Sequence, residues 1–555
     1  MQSAEIAPEL TFEPLLEEKF GWRRLPARAR VLWFRGAIHG RDAETLAAEA
    51  GGLALARLPE WLDGLDGHFS LILTGPDFSF AAVDPVRGYP LLWARDGDRL
   101  LVSHDGPALV HRLGLGPDDI DPAQADAFLL AGFTIGAATL YRGIHQLVPG
   151  TYVTVCPGVP EPDIAAYHEW RPTRPAEAGA GDLRAPLSRL NERLISDLVA
   201  GAKGRRILVP LSAGIDSRFV VSGLAAAGYD NVQCLSYGLP GNREAVIGRR
   251  IARRLGYDWT FIPYSNRFVR AAWATEDHRV HEAYADSLTA IPFPQDYPAL
   301  TALRGQGRLN PETIVVNGQS GDFTSGNHIP AALIGHDGGS PARRLARILD
   351  ALVAKHFKHW HGLVVPERVL RVKTLLRSEI DRAGGLPDDP TRDHGVYELS
   401  EFVDRQAKYV VNGQRVYEYL GLEWRLPLWQ RASLDFWERA PLEAKAHQRL
   451  YREVLREDDW GGVWRDIPIN PTRIRPLWLK PLRLMAKAAY APLGAERWHR
   501  FERRYVNYWM SPLCAFAEWP YGEVRRERLG AHGAIAFHIR KYLNGKTGAP
   551  SPWFA

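Results

Sequence analysis

Residues 206–228 read RILVPLSAGIDSRFVVSGLAAAG, and the fold is decided in this stretch. Ile207, Leu208 and Val209 form a short apolar run, which the polar residues SAGIDS interrupt. Apolar residues then recur at helical spacing from Phe219 onward. The pattern predicts a buried strand, a tight loop and a helix.

The loop of this unit has the composition of an anion-binding site. The first N–H groups of a helix have no partner within the helix, and the helix dipole favours negative charge beyond them. Ser212 and Ser217 add hydroxyl donors, and Gly214 lets the backbone approach a ligand closely. Asp216 offers an oxygen ligand of the kind that Mg²⁺ takes when it bridges phosphates. The alternative is an ordinary strand-to-helix turn with Asp216 or Ser217 as N-cap.

The same loop resembles the pyrophosphate-binding Ser-Gly-Gly-x-Asp-Ser motif of the ATP pyrophosphatases, asparagine synthetases among them. Ala213 stands where that motif has its second glycine, which requires that the position does not need positive φ. No Gly-Lys-Ser/Thr follows, so this is not a Walker loop. The resemblance implies binding of ATP with Mg²⁺ by Leu211, Ser212, Ala213, Gly214, Asp216 and Ser217.

Further strand and helix patterns follow the central loop. Residues 232–235 read as a strand, residues 244–255 as a helix and residues 261–262 as another strand. Such alternation predicts a parallel sheet with helices on its faces, whose ligands lie at the carboxyl ends of the strands. In the family, the turn corresponding to Ser236 and Gly238 contacts adenine; the alternative is a plain strand-end turn.

A second glycine-rich loop lies in residues 315–330, VVNGQSGDFTSGNHIP. It is similar to the family's Ser-Gly-Glu-Gly-x-Asp-Glu segment, with Gly318 as the first glycine and Asp322 as the metal-binding aspartate. Asp216 and Asp322 would then hold Mg²⁺ on the triphosphate. Where the family has glutamate, Gln319 can orient a substrate but cannot act as a base, and Phe323 replaces a second acid. A glycine-rich surface loop with a chance acid is the alternative.

Two downstream segments complete the predicted synthetase site. Residues 423–429, EWRLPLW, resemble the family's Glu-x-Arg-x-Pro-Phe-Leu segment, which makes Glu423 a candidate base and Arg425 its ion-pair partner. A structural salt bridge is the alternative. Residues 445–452 resemble the segment whose lysine neutralises charge on pyrophosphate. Gln448 occupies the lysine position, so Lys445 or Arg449 is expected to supply the charge from a neighbouring turn.

The N-terminal region has a different pattern. Short alternating or apolar runs over residues 68–73, 78–83, 91–94 and 100–103 predict a β-meander. They resemble the glutaminase domain of asparagine synthetase-like proteins, an αββα sandwich of the Ntn-hydrolase type. The family's nucleophile is a cysteine directly after the initiator methionine, whereas Gln2 follows Met1 and the first cysteine is Cys156. We therefore expect a scaffold without glutaminase activity at 1–170, a linker at 171–182 and the synthetase domain at 183–555.

Bulk composition excludes several classes of protein. The formal charge of +5 over 555 residues gives no basis for nucleic-acid binding. Three scattered cysteines predict neither a disulfide framework nor a zinc site and favour the cytoplasm. No 18 apolar residues run together, and no signal peptide is expected. Residues 477–495 predict a basic amphipathic helix, expected to be packed with a solvated basic side; peripheral contact with a membrane surface or an anionic carrier is the alternative.

The resemblance as a whole implies an ATP-dependent amide-forming ligase, like β-lactam synthetase and the lasso-peptide cyclases, which use an amine of the substrate. A carboxylate is adenylated with release of pyrophosphate, and an amine or ammonia then displaces AMP. The carboxylate is a small molecule, a sugar uronic acid of a surface polysaccharide, or a peptide that is cyclised; sequence does not choose among them, nor does it give the oligomeric state. A catalytically inactive nucleotide-binding scaffold is the rival from another class, favoured by Gln319, Phe323 and Gln448.

Overall fold

The computed structural model describes residues 9–174, 182–335, 338–548 and 551–554. Residues 175–181 of the predicted linker, and the start of the chain with Gln2, lie outside the described residues.

The described strands number fifteen and form three sheets. They are β1 (Thr11–Pro14), β2 (Arg23–Ala27), β3 (Arg30–Ile38), β4 (Gly67–Thr74), β5 (Ser79–Val83), β6 (Leu92–Asp96), β7 (Arg99–Ser103), β8 (Ile144–Gln146), β9 (Thr151–Val155), β10 (Asp163–Ala166), β11 (Ile207–Pro210), β12 (Val232–Gly238), β13 (Asp258–Pro263), β14 (Ile314–Val316) and β15 (Glu423–Arg425).

The described α-helices lie partly between the strands and partly beyond the last sheet. The first eleven are α1 (Ala43–Gly51), α2 (Leu58–Asp63), α3 (Gly106–Arg112), α4 (Pro122–Ala131), α5 (Arg184–Ala202), α6 (Asp216–Ala226), α7 (Arg243–Leu255), α8 (Asn266–Trp273), α9 (Glu276–Tyr284), α10 (Tyr297–Gly305) and α11 (Gly321–Thr324). The others are α12 (Pro341–His356), α13 (Pro366–Arg382), α14 (Asp393–Glu401), α15 (Arg415–Tyr419), α16 (Arg431–Arg439), α17 (Leu442–Lys445), α18 (Arg449–Asp458), α19 (Leu479–Tyr490), α20 (Ala495–Tyr505), α21 (Asn507–Met510), α22 (Tyr521–Arg526) and α23 (Ala534–Thr547). A π-helical stretch, Phe402–Val410, continues α14.

Two sheets of the N-terminal region pack face to face. The six-stranded sheet has the order β10-β9-β5-β4-β3-β2 and is antiparallel, and the four-stranded sheet has the order β1-β7-β6-β8. Alternate residues of β5 and β7, such as Ala81 and Leu100, meet in the core between the sheets. Phe80 on the opposite face of β5 packs with α1 and α2, and Leu101 packs with α4. The layer order is therefore helix, sheet, sheet, helix, as predicted for this region.

The third sheet is parallel throughout, with the order β13-β12-β11-β14-β15. Apolar residues alternate between its faces, so that Ile207 and Val209 contact the helices α5 and α6 while Leu208 packs on the other face. Both faces are covered, as parallel sheets require. The mixed α/β class with parallel and antiparallel sheets and a helical C-terminal part is confirmed.

The strand order of the parallel sheet fixes where a ligand can enter. The chain winds outward from β11 to β12 and β13, then returns to add β14 and β15 on the other side of β11. The connection that follows β11 leads to one side of the sheet, and the connection that follows β14 leads to the other side. The two connections diverge, which opens a crevice at the carboxyl ends of β11 and β14. The loops 211–217 and 317–322 leave the sheet at this point.

Among the described helices, none is both long and apolar enough to cross a bilayer.

Candidate functional site

A cavity of about 490 Å³ lies in the crevice between β11 and β14. Its volume is that of a small-molecule site. Nine of the predicted site residues line it, namely Leu211, Ser212, Gly214, Asp216, Ser217, Ser236, Gly318, Gln319 and Asp322. Two loops that are a hundred residues apart in sequence therefore form one cavity wall, as the sequence indicated.

The first loop is held in shape by its own serines. Ser212 N–H donates to Ser217 Oγ at 2.9 Å, the two hydroxyl oxygens lie 2.9 Å apart, and Gly214 N–H donates to Ser212 Oγ at 3.1 Å. No side chain caps the first turn of α6. The N-terminal amides of α6 thus lie at the cavity without a capping side chain, as an anion site requires.

Ala213 fills the motif's second glycine position without a positive φ. It is fully buried and lies beneath the loop rather than in the cavity wall. Its N–H donates to Glu244 Oε2 at 2.5 Å, and Arg243 pairs with the other oxygen of that carboxylate. Gly238 also lies outside the cavity lining, and a Cβ there would come within 2.5 Å of Pro512 O.

Glycines bring the second loop against the first. A Cβ on Gly318 would lie 2.5 Å from the backbone of Asp216 and Ser217, and a Cβ on Gly321 would lie 2.8 Å from Asp216 Oδ1. Only glycine permits this approach. As a result, Asp322 N–H donates to Asp216 Oδ2 at 3.0 Å.

The carboxylates of Asp216 and Asp322 share one buried environment. Burial and the charge of Asp322 raise the pKa of Asp216 well above its usual range. Burial also acts to raise the pKa of Asp322, but the hydrogen bond and charge of His328 lower it overall. Asp216 Oδ1 is buried, and none of the described residues makes a hydrogen bond of good geometry to it, although the Gly321 backbone lies close. A buried carboxylate oxygen beside a second acid fits a hard divalent cation, which would relieve both the burial cost and the repulsion.

A cation at this acid pair would need further ligands. Among the described residues, no group of three or more His, Cys, Asp or Glu side chains is arranged to hold a metal ion. Two carboxylates with phosphate and water oxygens are the set that Mg²⁺ uses at nucleotide sites.

Three residues that differ from the family motifs, Gln319, Gln448 and Phe323, make different contacts in the structure. Gln319 lines the cavity, and its Oε1 accepts from Gln414 Nε2 at 2.8 Å. Gln448 also lines the cavity and donates to Ser325 Oγ at 2.9 Å. Phe323 is fully buried between Trp170 and Trp429, with ring centroids 5.8 Å from each. Packing therefore accounts for the apolar residue at this position.

The structure does not bring Glu423, the predicted base, to the cavity. Glu423 begins β15, which runs parallel to β14, so it lies at the amino edge of the sheet, opposite the cavity. Its carboxylate pairs with Arg205 at 2.8 Å and Arg425 at 2.8 Å. Although burial opposes the change, these partners lower the pKa of Glu423 to about 2. This is the arrangement that the salt-bridge alternative describes.

Lys445 and Arg449 are likewise not brought to the cavity. Lys445 is fully buried, and its Nζ lies 2.6 Å from Glu398 Oε1 and donates to Trp437 O at 3.2 Å. Arg449 is exposed and donates to Glu443 O at 2.9 Å. Positive φ angles at residues 447 and 448 reverse the backbone between these side chains, so that of this turn only Gln448 lines the cavity. The prediction that either cation reaches the site is wrong.

Arg218 was missed by sequence reasoning. Its side chain is completely buried behind the first loop, and its guanidinium donates to the carbonyl oxygens of Val463, Ile467 and Pro468 at 2.8–3.1 Å. These bonds fix the segment that carries Asn470, which lines the cavity and whose N–H donates to Ala213 O at 3.0 Å. Arginine in the first helical turn carried no signal for this role.

A buried polar network behind Asp322 was also missed. His328 Nε2 lies 3.2 Å from Asp322 Oδ2, and His328 Nδ1 contacts the buried Glu401. Glu401 Oε2 lies 3.1 Å from His356 Nε2 and accepts from Tyr397 OH at 2.9 Å. Burial opposes protonation of His328, but hydrogen bonds to Asp322 and Glu401 raise its pKa overall. The network orients Asp322 and holds the His328 imidazole beside the acid pair.

Comparison with known proteins gives little beyond this geometry. No protein-family model matches the chain, and no curated protein matches it. Among solved structures, the chain is similar to an allosteric regulatory enzyme of purine biosynthesis, with 10% identity over 43% of this chain and a TM-score of 0.19. It is also similar to glutamine phosphoribosylpyrophosphate amidotransferase from B. subtilis complexed with ADP and GMP, with 12% identity over 55% of this chain and a TM-score of 0.18. The chain spans 62% and 59% of the lengths of these two proteins. Scores this low carry no weight for fold or function.

Proposed function

We propose that the protein is an ATP-dependent, AMP- and pyrophosphate-forming ligase that makes an amide bond. The observation that carries the proposal is the meeting of Asp216 and Asp322, on two glycine-bearing loops, at the crevice of a doubly wound parallel sheet. The likeness of both loops to the asparagine synthetase motifs supports the reaction class. Enzyme activity and carbon–nitrogen bond formation are both part of the proposal.

Different residues of the cavity have different proposed roles in binding ATP. The amides of Asp216 and Ser217 bind phosphate oxygens at the start of α6, where the helix dipole favours them. Asp216 and Asp322 would hold Mg²⁺, which supplies positive charge to the triphosphate as pyrophosphate leaves. Arg243 is the only arginine or lysine of the described residues in the cavity lining. Because Arg243 pairs with Glu244, charge neutralisation depends on the metal and the loop amides.

Gln319 makes the position of the family's glutamate neutral in this cavity. Gln319, fixed by Gln414, can hold a carboxylate by hydrogen bonds but cannot remove a proton from an amine. We propose that the amine reacts unprotonated, as ammonia or as a substrate amine held beside the activated carboxylate. This favours an acceptor amine that the substrate itself carries, as in peptide or β-lactam cyclisation, over glutamine-dependent asparagine synthesis.

The test is release of AMP and pyrophosphate from Mg-ATP by the purified full chain. Aspartate, uronic-acid sugars and amine-bearing peptides are offered in turn with ammonia. AMP formation that depends on one carboxylate supports the ligase, and the Asp216→Asn variant should abolish it. Glu423→Gln, at the far edge of the sheet, is the matched control and should retain full activity. ATP binding without AMP formation from any of these substrates would instead favour the inactive scaffold.

A further inference from the structure

Helix α19 and its flanks expose an unusual number of large apolar side chains. Half of the exposed large hydrophobic residues in the described part of the chain fall within residues 477–509. They include Leu477, Trp478, Leu482, Leu484, Met485 and Leu493, which are 47–64% exposed. We call these six residues the α19 face. Single exposed leucines are ordinary, but a continuous apolar face of this kind marks an interaction surface.

The exposure follows from how α19 packs. Only one narrow side of the helix is turned inward, represented by Leu479, Arg483 and Tyr490. Arg483 pairs with Glu502 at 2.6 Å, and the ring of Tyr490 lies 4.7 Å from that of Phe501. The positions 478, 482 and 485 are spaced by four and three residues, so they share the outward side of the helix. The expectation that this helix is packed along its apolar side is therefore wrong.

Basic residues are frequent in the segment that carries the α19 face. Residues 471–505 contain nine lysines and arginines but only two acids, Glu496 and Glu502. Lys480 and Lys487 lie on α19 itself, exposed beside the apolar side chains. Exposed leucine, methionine and tryptophan combined with lysine form the pattern of a helix that lies in the plane of a membrane interface. Acidic headgroups attract such basic segments, while the apolar side chains enter the acyl boundary.

We propose that α19 docks the protein on the surface of an anionic phospholipid bilayer. The helix lies flat with the α19 face in the interface, and Lys480 and Lys487 contact the headgroups. Because Asn470 lines the cavity and Arg475 donates to Gly241 O at 2.9 Å, the segment leading into α19 is anchored at the cavity wall. Docking therefore places the cavity close to the membrane surface. This proposal stands independently of the proposed reaction.

The test is co-sedimentation of the full chain with vesicles of phosphatidylcholine and phosphatidylglycerol, compared with phosphatidylcholine alone. Binding is expected to the anionic vesicles at low salt and to weaken as salt screens the lysines. Leu482→Glu/Met485→Glu and Lys480→Glu/Lys487→Glu should each reduce binding by about tenfold or more. Leu370→Glu, on α13 with 67% exposure, is the matched control and should bind as the natural chain does.

Three results would overturn the proposal. One is no vesicle binding by the natural chain at low salt, and another is binding that both double variants retain. The third is self-association that Leu482→Glu/Met485→Glu abolishes while vesicles are not bound, which would make the face an interface between copies. Thermal melting and circular dichroism of every variant check that a loss of binding is not a loss of fold.

Discussion

Replacing Lys445 by methionine distinguishes a structural lysine from a catalytic one. Its ammonium is completely buried, 2.6 Å from the carboxylate of Glu398, which also contacts His394 Nδ1 at 2.8 Å. Methionine keeps most of the volume but leaves a buried carboxylate without a cation. Breaking a buried pair in this way costs about 3–5 kcal/mol. For a large domain, that corresponds to a fall in melting temperature of roughly 5–15 °C.

The assay combines thermal melting with AMP release from Mg-ATP. The double variant Lys445→Met/Glu398→Gln removes both charges, so it should recover most of the stability that the single variant loses. Activity of the double variant should return with its stability. A lysine that neutralises developing charge in the site would behave differently, because its loss lowers the rate by about 100- to 1000-fold at unchanged stability. That outcome for Lys445→Met would refute the structural assignment.

Four further predictions follow from the site and the N-terminal region. Asp322→Asn should weaken Mg²⁺-dependent ATP binding by about 100-fold in calorimetry, because one carboxylate is a poor site for Mg²⁺; unchanged affinity would remove Asp322 from the metal site. Arg218→Met should lower stability by at least about 3 kcal/mol and raise the KM for ATP, because it releases the segment that carries Asn470; a normal KM would show that this segment does not shape the site. Phe323→Ala should cost about 3–5 kcal/mol in denaturant unfolding, and a smaller loss would mean that the aromatic cluster relaxes around it. Added glutamine should release no ammonia, because burial raises the pKa of the Cys156 thiol, whereas a nucleophilic cysteine needs a lowered thiol pKa. Release of ammonia would instead support a glutaminase role.

The central unit was predictable because each of its parts carries a local signal. The apolar run of β11, the polar loop and the helical spacing of α6 determine the strand, turn and helix without help from distant residues. The meeting of the two glycine-rich loops was also predictable. Carboxyl ends of neighbouring parallel strands lie at the same edge of a sheet, so Asp216 and Asp322 had to come close once β11 and β14 were paired.

The predicted placement of Glu423 and Lys445 at the cavity depended on features that a local sequence motif does not encode. Glu423 begins a three-residue strand, and the direction of that strand in the sheet decides which edge it occupies. Lys445 is separated from the cavity by two residues with left-handed backbone angles, His447 and Gln448, neither of which is a glycine that would signal a reversal. Arg218 depends on contacts with residues about 250 positions away, which no local pattern encodes.

Charged side chains that are paired with an opposite charge can be distinguished from those that remain available to a ligand. Glu423 is paired with two arginines and Lys445 with Glu398, so neither has charge left to offer a substrate. Asp216 differs because one of its buried oxygens has no hydrogen bond of good geometry from the described residues and its neighbour is another acid. Such an arrangement is costly unless a cation binds it. A bound Mg²⁺ would offset this cost, which is why the acid pair, rather than any downstream motif, carries the proposed site.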